Sequence, residues 1–161
     1  MSDVLCLYYS RTGRTEETMK EIAAALNAEL ARITDDVDRS GLRGFLHAGR
    51  EAMRTSTHPI DKLTTERPLE DYRLVILGGP VWGGRCASPV RALLKRRGLE
   101  LSRVAYVLTR SSGRKYEEVY SQMDLYTAQK HVLGASLRPG SVGYTFWLER
   151  FVRDVERYLE Q

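Results

Sequence analysis

The sequence predicts an α/β fold, a parallel sheet covered by helices on both faces. Two observations carry this reading. Apolar runs alternate with amphipathic stretches along the chain in a repeated strand–helix order. The runs themselves, such as Val4–Tyr8 and Leu74-Val75-Ile76-Leu77, are nearly continuous in apolar residues, as strands buried on both faces should be.

Each element has its own justification. Val4–Tyr8 is the first strand. A helix follows from about Thr15 to Ala28, because Met19, Ile22, Ala23 and Leu26 fall on one face. Glu16 and Glu17 suit its first turn. A short strand is expected at Glu29–Ile33. The segment 34–68 is too long for an ordinary loop. Within it, Leu42, Phe45, Leu46 and Met53 have helical spacing, which predicts a helix over Gly41–Arg54, and Thr55–Pro68 reads as an extended connection. Arg73–Gly79 is the strongest strand and is expected to stop at Gly78-Gly79-Pro80. A helix is expected over Pro89–Arg97, with Pro89 in its first turn and Gly98 at its end. Val104–Thr109 is a strand and Lys115–His131 a helix. Val132–Leu137 is the last strand, and Val142–Glu160 the last helix, lined by Leu148, Phe151, Val152, Val155 and Leu159.

Bulk properties narrow the function. A chain of 161 residues, 42% apolar, fits a single domain over residues 1–161 with a sizeable core. No apolar run approaches a membrane span, and the start does not read as a signal peptide, so a cytoplasmic location is expected. The two cysteines, Cys6 and Cys86, do not suggest a disulfide scaffold. His47, His58 and His131 are scattered in sequence, and no metal cluster is visible. A net charge of +4 is too mild for a nucleic-acid footprint. The clustered Arg39, Arg43, Arg50, Arg54, Arg91, Lys95, Arg96 and Arg97 read as solvated helix faces and dipole partners.

In a sheet of this class ligands bind beyond the carboxyl ends of the strands. Three loops should converge there. The first, Ser10-Arg11-Thr12-Gly13-Arg14-Thr15, joins a strand to a helix. It places backbone N–H groups and three hydroxyls at the positive end of a helix dipole, which suits a phosphate monoester. A Ser/Thr-rich helix cap without a ligand has the same composition. The loop is not a nucleotide P-loop, and Cys6, lying inside a strand, is placed as core rather than as a phosphatase nucleophile. The second loop contains Pro80-Val81-Trp82-Gly83-Gly84. Trp82 is either a packing residue or a stacking platform for a flat ring, and Gly83-Gly84 would let an adjacent peptide reorient. The third loop, Thr109-Arg110-Ser111-Ser112-Gly113, could line the edge of a heterocycle or be a plain turn. No convincing catalytic pair accompanies these loops.

The strand followed by Ser10-x-Thr12-Gly13-x-Thr15 resembles the phosphate loop of the flavodoxin family. Val75-Ile76-Leu77-Gly78-Gly79-Pro80-Val81-Trp82-Gly83-Gly84 resembles that family's first flavin-flanking loop. The resemblance extends over almost the whole chain. It implies a three-layer flavodoxin-like sandwich with a five-stranded sheet in the order 2-1-3-4-5 and non-covalent FMN as cofactor. Ser10, Arg11, Thr12, Gly13, Arg14 and Thr15 would hold the phosphate. Trp82 would cover one flavin face, the Trp82–Gly84 backbone would face N5, and Thr109 to Gly113 would line the pyrimidine end. Electron transfer to a redox partner protein or small acceptor is the expected function. The alternative is an FMN-dependent NAD(P)H:quinone-type oxidoreductase.

The chain also departs from the pattern. It is not acidic, as electron-carrying flavodoxins usually are. No aromatic follows the fourth strand until Tyr116, so the outer flavin face is expected to be open. Arg110, Arg114 and Lys115 would add positive charge near the ring. Residues 34–68 are expected to fold over the cofactor edge or to mediate a homodimer. A phospho-receiver is disfavoured, because the first strand is not followed by acidic residues and the third ends in glycines.

Overall fold

The computed structural model describes residues 2–54 and 57–161. The strands are β1 (Val4–Tyr8), β2 (Glu29–Arg32), β3 (Leu74–Trp82), β4 (Arg85–Cys86), β5 (Val104–Thr109) and β6 (Leu133–Leu137). The helices are α1 (Arg14–Leu26), α2 (Gly41–Arg54), α3 (Ser88–Arg97), α4 (Glu118–Asp124) and α5 (Tyr144–Leu159). The sheet runs β2-β1-β3-β5-β6, all parallel, with β4 pairing antiparallel to the end of β3. Apart from the added β4, this is the expected 2-1-3-4-5 order.

Alternation along the strands divides the core in two. Leu5, Leu7, Val75, Leu77, Tyr106 and Leu108 face one side, where Val90, Leu93 and Leu94 of α3 and Val119 and Met123 of α4 cover them. Val4, Cys6, Leu74, Ile76, Ala105 and Val107 face the other, under Met19 and Ile22 of α1 and Phe151, Val152 and Val155 of α5. The continuous apolar runs therefore reflect two buried faces.

Two expectations are corrected, and a third element takes an orientation that its spacing did not specify. β3 does not break at Gly78-Gly79-Pro80 but continues to Trp82. The glycines serve close packing: an added Cβ at Gly78 would stand 2.5 Å from Met19 Sδ of α1, and one at Gly79 would stand 2.6 Å from Val90 Cγ2 of α3. The helix expected over Lys115–His131 shrinks to α4. Tyr116, with φ 57°, delays its start. At its end, the Asp124 carboxylate accepts the His131 N–H (3.0 Å) and the Tyr106 hydroxyl (2.8 Å), folding residues 125–131 back to β6. Finally, α2 has the expected bounds but presents its apolar stripe outward. Leu42, Phe45, Leu46 and Met53 are exposed, whereas Gly44, Ala48, Glu51 and Ala52 are buried. Residues 55 and 56 of the expected Thr55–Pro68 connection lie outside the described residues.

Candidate cofactor site

Between β1 and α1, Ser10 is buried, and its Oγ accepts the Gly13 N–H at 3.0 Å. Gly13, at φ 94°, caps α1 without any side-chain hydrogen bond to the helix. The first α1 amide to bond back is Glu17 N–H, to the Gly13 carbonyl at 3.0 Å. The amides of the first turn before it have no partner in the helix ladder and carry the positive end of its dipole. Thr12 and Arg14 are exposed there. The other two hydroxyls serve the loop itself. The Thr15 and Thr109 hydroxyls meet at 2.6 Å, joining the first loop to the third. Arg11 turns aside, donating to the carbonyls of Arg39 and Gly41 at 2.8 Å each, and so ties this loop to the start of α2.

The second loop is the tip of a hairpin. Trp82 pairs with Arg85, and Gly83 and Gly84 between them have φ of 56° and 76°. Two positive-φ residues in succession make the tight turn whose twist matches its strands, and glycine supplies them without strain. Trp82 meets Tyr9 edge-on, with ring centroids 5.6 Å apart. Arg39 stands over Trp82 at 5.6 Å and over Tyr9 at 5.8 Å.

Arg39 is no solvated residue, contrary to the sequence reading; it is 3% exposed. It pairs with Asp35 through two bonds of 2.9 and 3.0 Å and with Glu51 through two of 2.7 and 3.0 Å. Ser88 donates to Glu51 at 2.9 Å. Burial works against the charge on both Arg39 and Glu51, but their mutual hydrogen bonds, with Asp35 and Ser88, outweigh it. The Arg39 pKa is held above its ordinary value and the Glu51 pKa below. Arg91 is likewise buried and donates to the Cys86 carbonyl at 3.0 Å. Both cysteines are free and buried. Burial pushes the Cys6 thiol up to about 12 and raises that of Cys86 despite the nearby Arg91, so neither is poised as a nucleophile.

In the third loop Arg110 donates to Ser136 Oγ (2.9 Å) and to the Ser112 carbonyl (2.7 Å). Ser112 and Gly113 are exposed. Tyr116 lies outside α4, and the Arg114 guanidinium sits 4.9 Å from its ring centre.

These loops enclose one cavity of about 470 Å³. Arg11, Thr12, Arg14 and Thr15 line it from the first loop, Pro80, Val81, Trp82 and Gly83 from the second, and Thr109, Arg110 and Ser111 from the third. Ser10, Gly13, Gly84, Ser112 and Gly113 do not reach its wall; Ser10 and Gly13 shape the first loop and Gly84 the hairpin turn. Sequence reasoning missed Ala48 and Gly49 of α2, Phe45 beside them, and Pro139. Pro139 follows the carboxyl end of β6, where the strand-edge rule would have found it. Tyr116, the first aromatic after β5, precedes α4 and lines the cavity, so the open face expected on that side is corrected. Among the described residues, three arginines and no carboxylate line the wall.

Comparison with solved structures bears on the fold. The chain superposes on a flavoprotein in complex with FMN from Lactobacillus acidophilus NCFM with a TM-score of 0.67 at 21% identity, covering 91% of this chain and 99% of that one. The fold is flavodoxin-like. Other structures agree with this flavodoxin-like architecture. A putative flavoprotein from Bacteroides eggerthii matches with TM-score 0.70 and 16% identity over 94% of this chain and 98% of that one. Oxidised flavodoxin 2 from Bacillus cereus matches with TM-score 0.56 and 14% identity over 96% and 98%. No family model matches the sequence, and no curated protein matches it either. No helix among the described residues is long and apolar enough to cross a membrane.

Proposed function

We propose that this flavodoxin-like chain binds FMN non-covalently in the cavity and transfers electrons through it, as a single domain. The observation that carries the reading is the wall itself: a helix start with no side-chain cap, three arginines, no carboxylate among the described lining residues, and an indole, all around one space. An aromatic phosphate monoester satisfies each of these features at once. The cavity volume of about 470 Å³ lies in the range of small-molecule sites.

The α1 amides, Thr12 and Arg14 would hold the phosphate. Trp82, with Tyr116 and Phe45, would flank the ring, and Thr109, Arg110 and Ser111 would line its polar edge. Bound FMN supplies one- or two-electron redox chemistry. The chain's own work is to bind, orient and set the local field. Arg110, fixed through Ser136 and the Ser112 carbonyl, keeps positive charge at the wall. Arg39, fixed by two carboxylates, holds Trp82 and Tyr9 in place from behind.

A redox partner protein, or a small acceptor, would take the electrons. The exposed Leu42, Phe45, Leu46 and Met53 stripe adjoins the cavity through Phe45 and offers a surface for a partner or a second copy. A cytoplasmic site of action belongs to the same reading, since two free, buried thiols suit a reducing compartment.

The visible spectrum of the purified protein tests the cofactor. Flavin bands, with FMN released on denaturation, are expected; a colourless protein that takes up no FMN contradicts the reading. A second reading, an NAD(P)H:quinone-type reductase, is favoured by Arg14 and Arg110, which bring positive charge to the cavity for an anionic dinucleotide. Steady-state NADPH or NADH oxidation with a quinone separates the two. A carrier shows none without a separate reductase.

A further inference from the structure

Two histidines that are distant in sequence meet the buried Glu51. His47 Nε2 lies 3.3 Å from Glu51 Oε1, and His58 Nε2 lies 3.5 Å from Glu51 Oε2. One ligand atom from each of the three residues lies within 4.8 Å of the others. We propose that His47, Glu51 and His58 form a binding site for a divalent transition-metal ion of the zinc type, separate from the cofactor cavity.

The spacing suits the ion. Four-coordinate zinc, bonded at about 2.0–2.1 Å, has ligand atoms roughly 3.3 Å apart. His47 and His58 stand near that distance from the two different oxygens of one carboxylate, and rotation of two half-exposed imidazoles would bring both onto one ion. His47 and Glu51 are four residues apart in α2 and therefore share a face. Two imidazoles with one carboxylate are a donor set for zinc and its neighbours rather than for magnesium or calcium, which take oxygen ligands.

The surroundings support the carboxylate as a ligand. Arg39 Nε donates to Glu51 Oε1 at 2.7 Å, and Ser88 donates to Oε2 at 2.9 Å, so the carboxylate is oriented from behind as ligating carboxylates commonly are. The Glu51 side chain is 4% exposed, whereas those of His47 and His58 are 42% and 44% exposed. The ion can thus be reached from solvent and can keep a water as its fourth ligand.

The alternative use of this geometry is a pair of histidine–carboxylate contacts with no metal. The discriminating experiment is isothermal titration of zinc chloride into tag-free, chelator-treated protein at neutral pH. One zinc per chain is expected. His47→Ala and His58→Ala should each weaken binding at least about tenfold, and the double variant should abolish it. His131→Ala, whose histidine pairs with Asp124 elsewhere, should bind as the wild type does. Magnesium should not bind at this site. A second readout guards against misfolding: zinc should raise the melting temperature of the wild type but not that of the double variant, while the two melt alike without zinc. His47→Gln with His58→Gln replaces the alanine pair if that pair does not fold. Absence of stoichiometric zinc binding by the wild type, or unchanged affinity in the double variant, overturns the proposal and leaves only ion pairs.

Discussion

Thr12 and Arg14 bear the phosphate reading at the level of single residues, because Ser10 and Thr15 are engaged within and between loops. Thr12→Ala should weaken FMN binding by about 1.5–3 kcal/mol, the value of one charge-assisted hydrogen bond. Riboflavin, which has no phosphate, should bind both forms alike, and a fluorescence titration compares the two ligands. Arg110 makes an electrostatic prediction. Arg110→Glu replaces a positive charge at the cavity wall with a negative one, so it should lower the reduction potential of bound FMN in a potentiometric titration. The thiols give a third. Cys6 has a folded-state pKa of about 12 against an ordinary value of 9.0, so it stays protonated when an unfolded chain's thiol has ionised. A raised pKa stabilises the fold below the ordinary value and loses that stability as pH climbs from about 9 towards about 12. Native protein near pH 8 should therefore resist a thiolate-specific reagent at both cysteines, and denatured protein should react at both. At this scale the sequence was readable for residue type but not for partner. Nothing local says that Thr15 will meet Thr109, or that Arg39 will find two carboxylates, since those contacts exist only after the crossovers are made.

Among the elements, β3 and α2 show what pattern alone conveys. The Gly78-Gly79-Pro80 stretch carries turn-like chemistry, yet it is strand, because α1 and α3 press on its two faces. Val90 is buried and β-branched, so its rotation is restricted. Gly79→Ala should consequently destabilise the protein by about 1–3 kcal/mol in urea unfolding, through overpacking against α3. The α2 helix was legible from the spacing of Leu42, Phe45, Leu46 and Met53. Its orientation was not, because the buried face carries Gly44, Ala48 and Ala52 with one charged residue, Glu51. That inversion brings Arg39, Asp35 and Glu51 into the interior. Arg39→Met should destabilise the fold by about 3–5 kcal/mol, since it leaves two carboxylates buried without their cation. Replacing Asp35 and Glu51 with Asn and Gln in the same chain should recover part of that loss.

For the molecule as a whole, the parallel sheet covered on both faces and the edge where loops converge were accessible from the alternation of apolar runs and amphipathic stretches, whereas the order of the strands came from the resemblance to flavodoxins. That residues 34–68 fold over the site edge was expected, but which α2 residues form the wall was not, since their placement depends on Arg11 reaching the carbonyls of Arg39 and Gly41 across the chain. Three loops and that helix line one pocket, with three arginines and an indole in its wall. Titration of FMN into the apoprotein, followed by flavin fluorescence, tests FMN binding there most directly. Saturable quenching at one FMN per chain, as the ring enters contact with Trp82, is the predicted result. Fluorescence that stays at the level of free FMN at every protein concentration would contradict it.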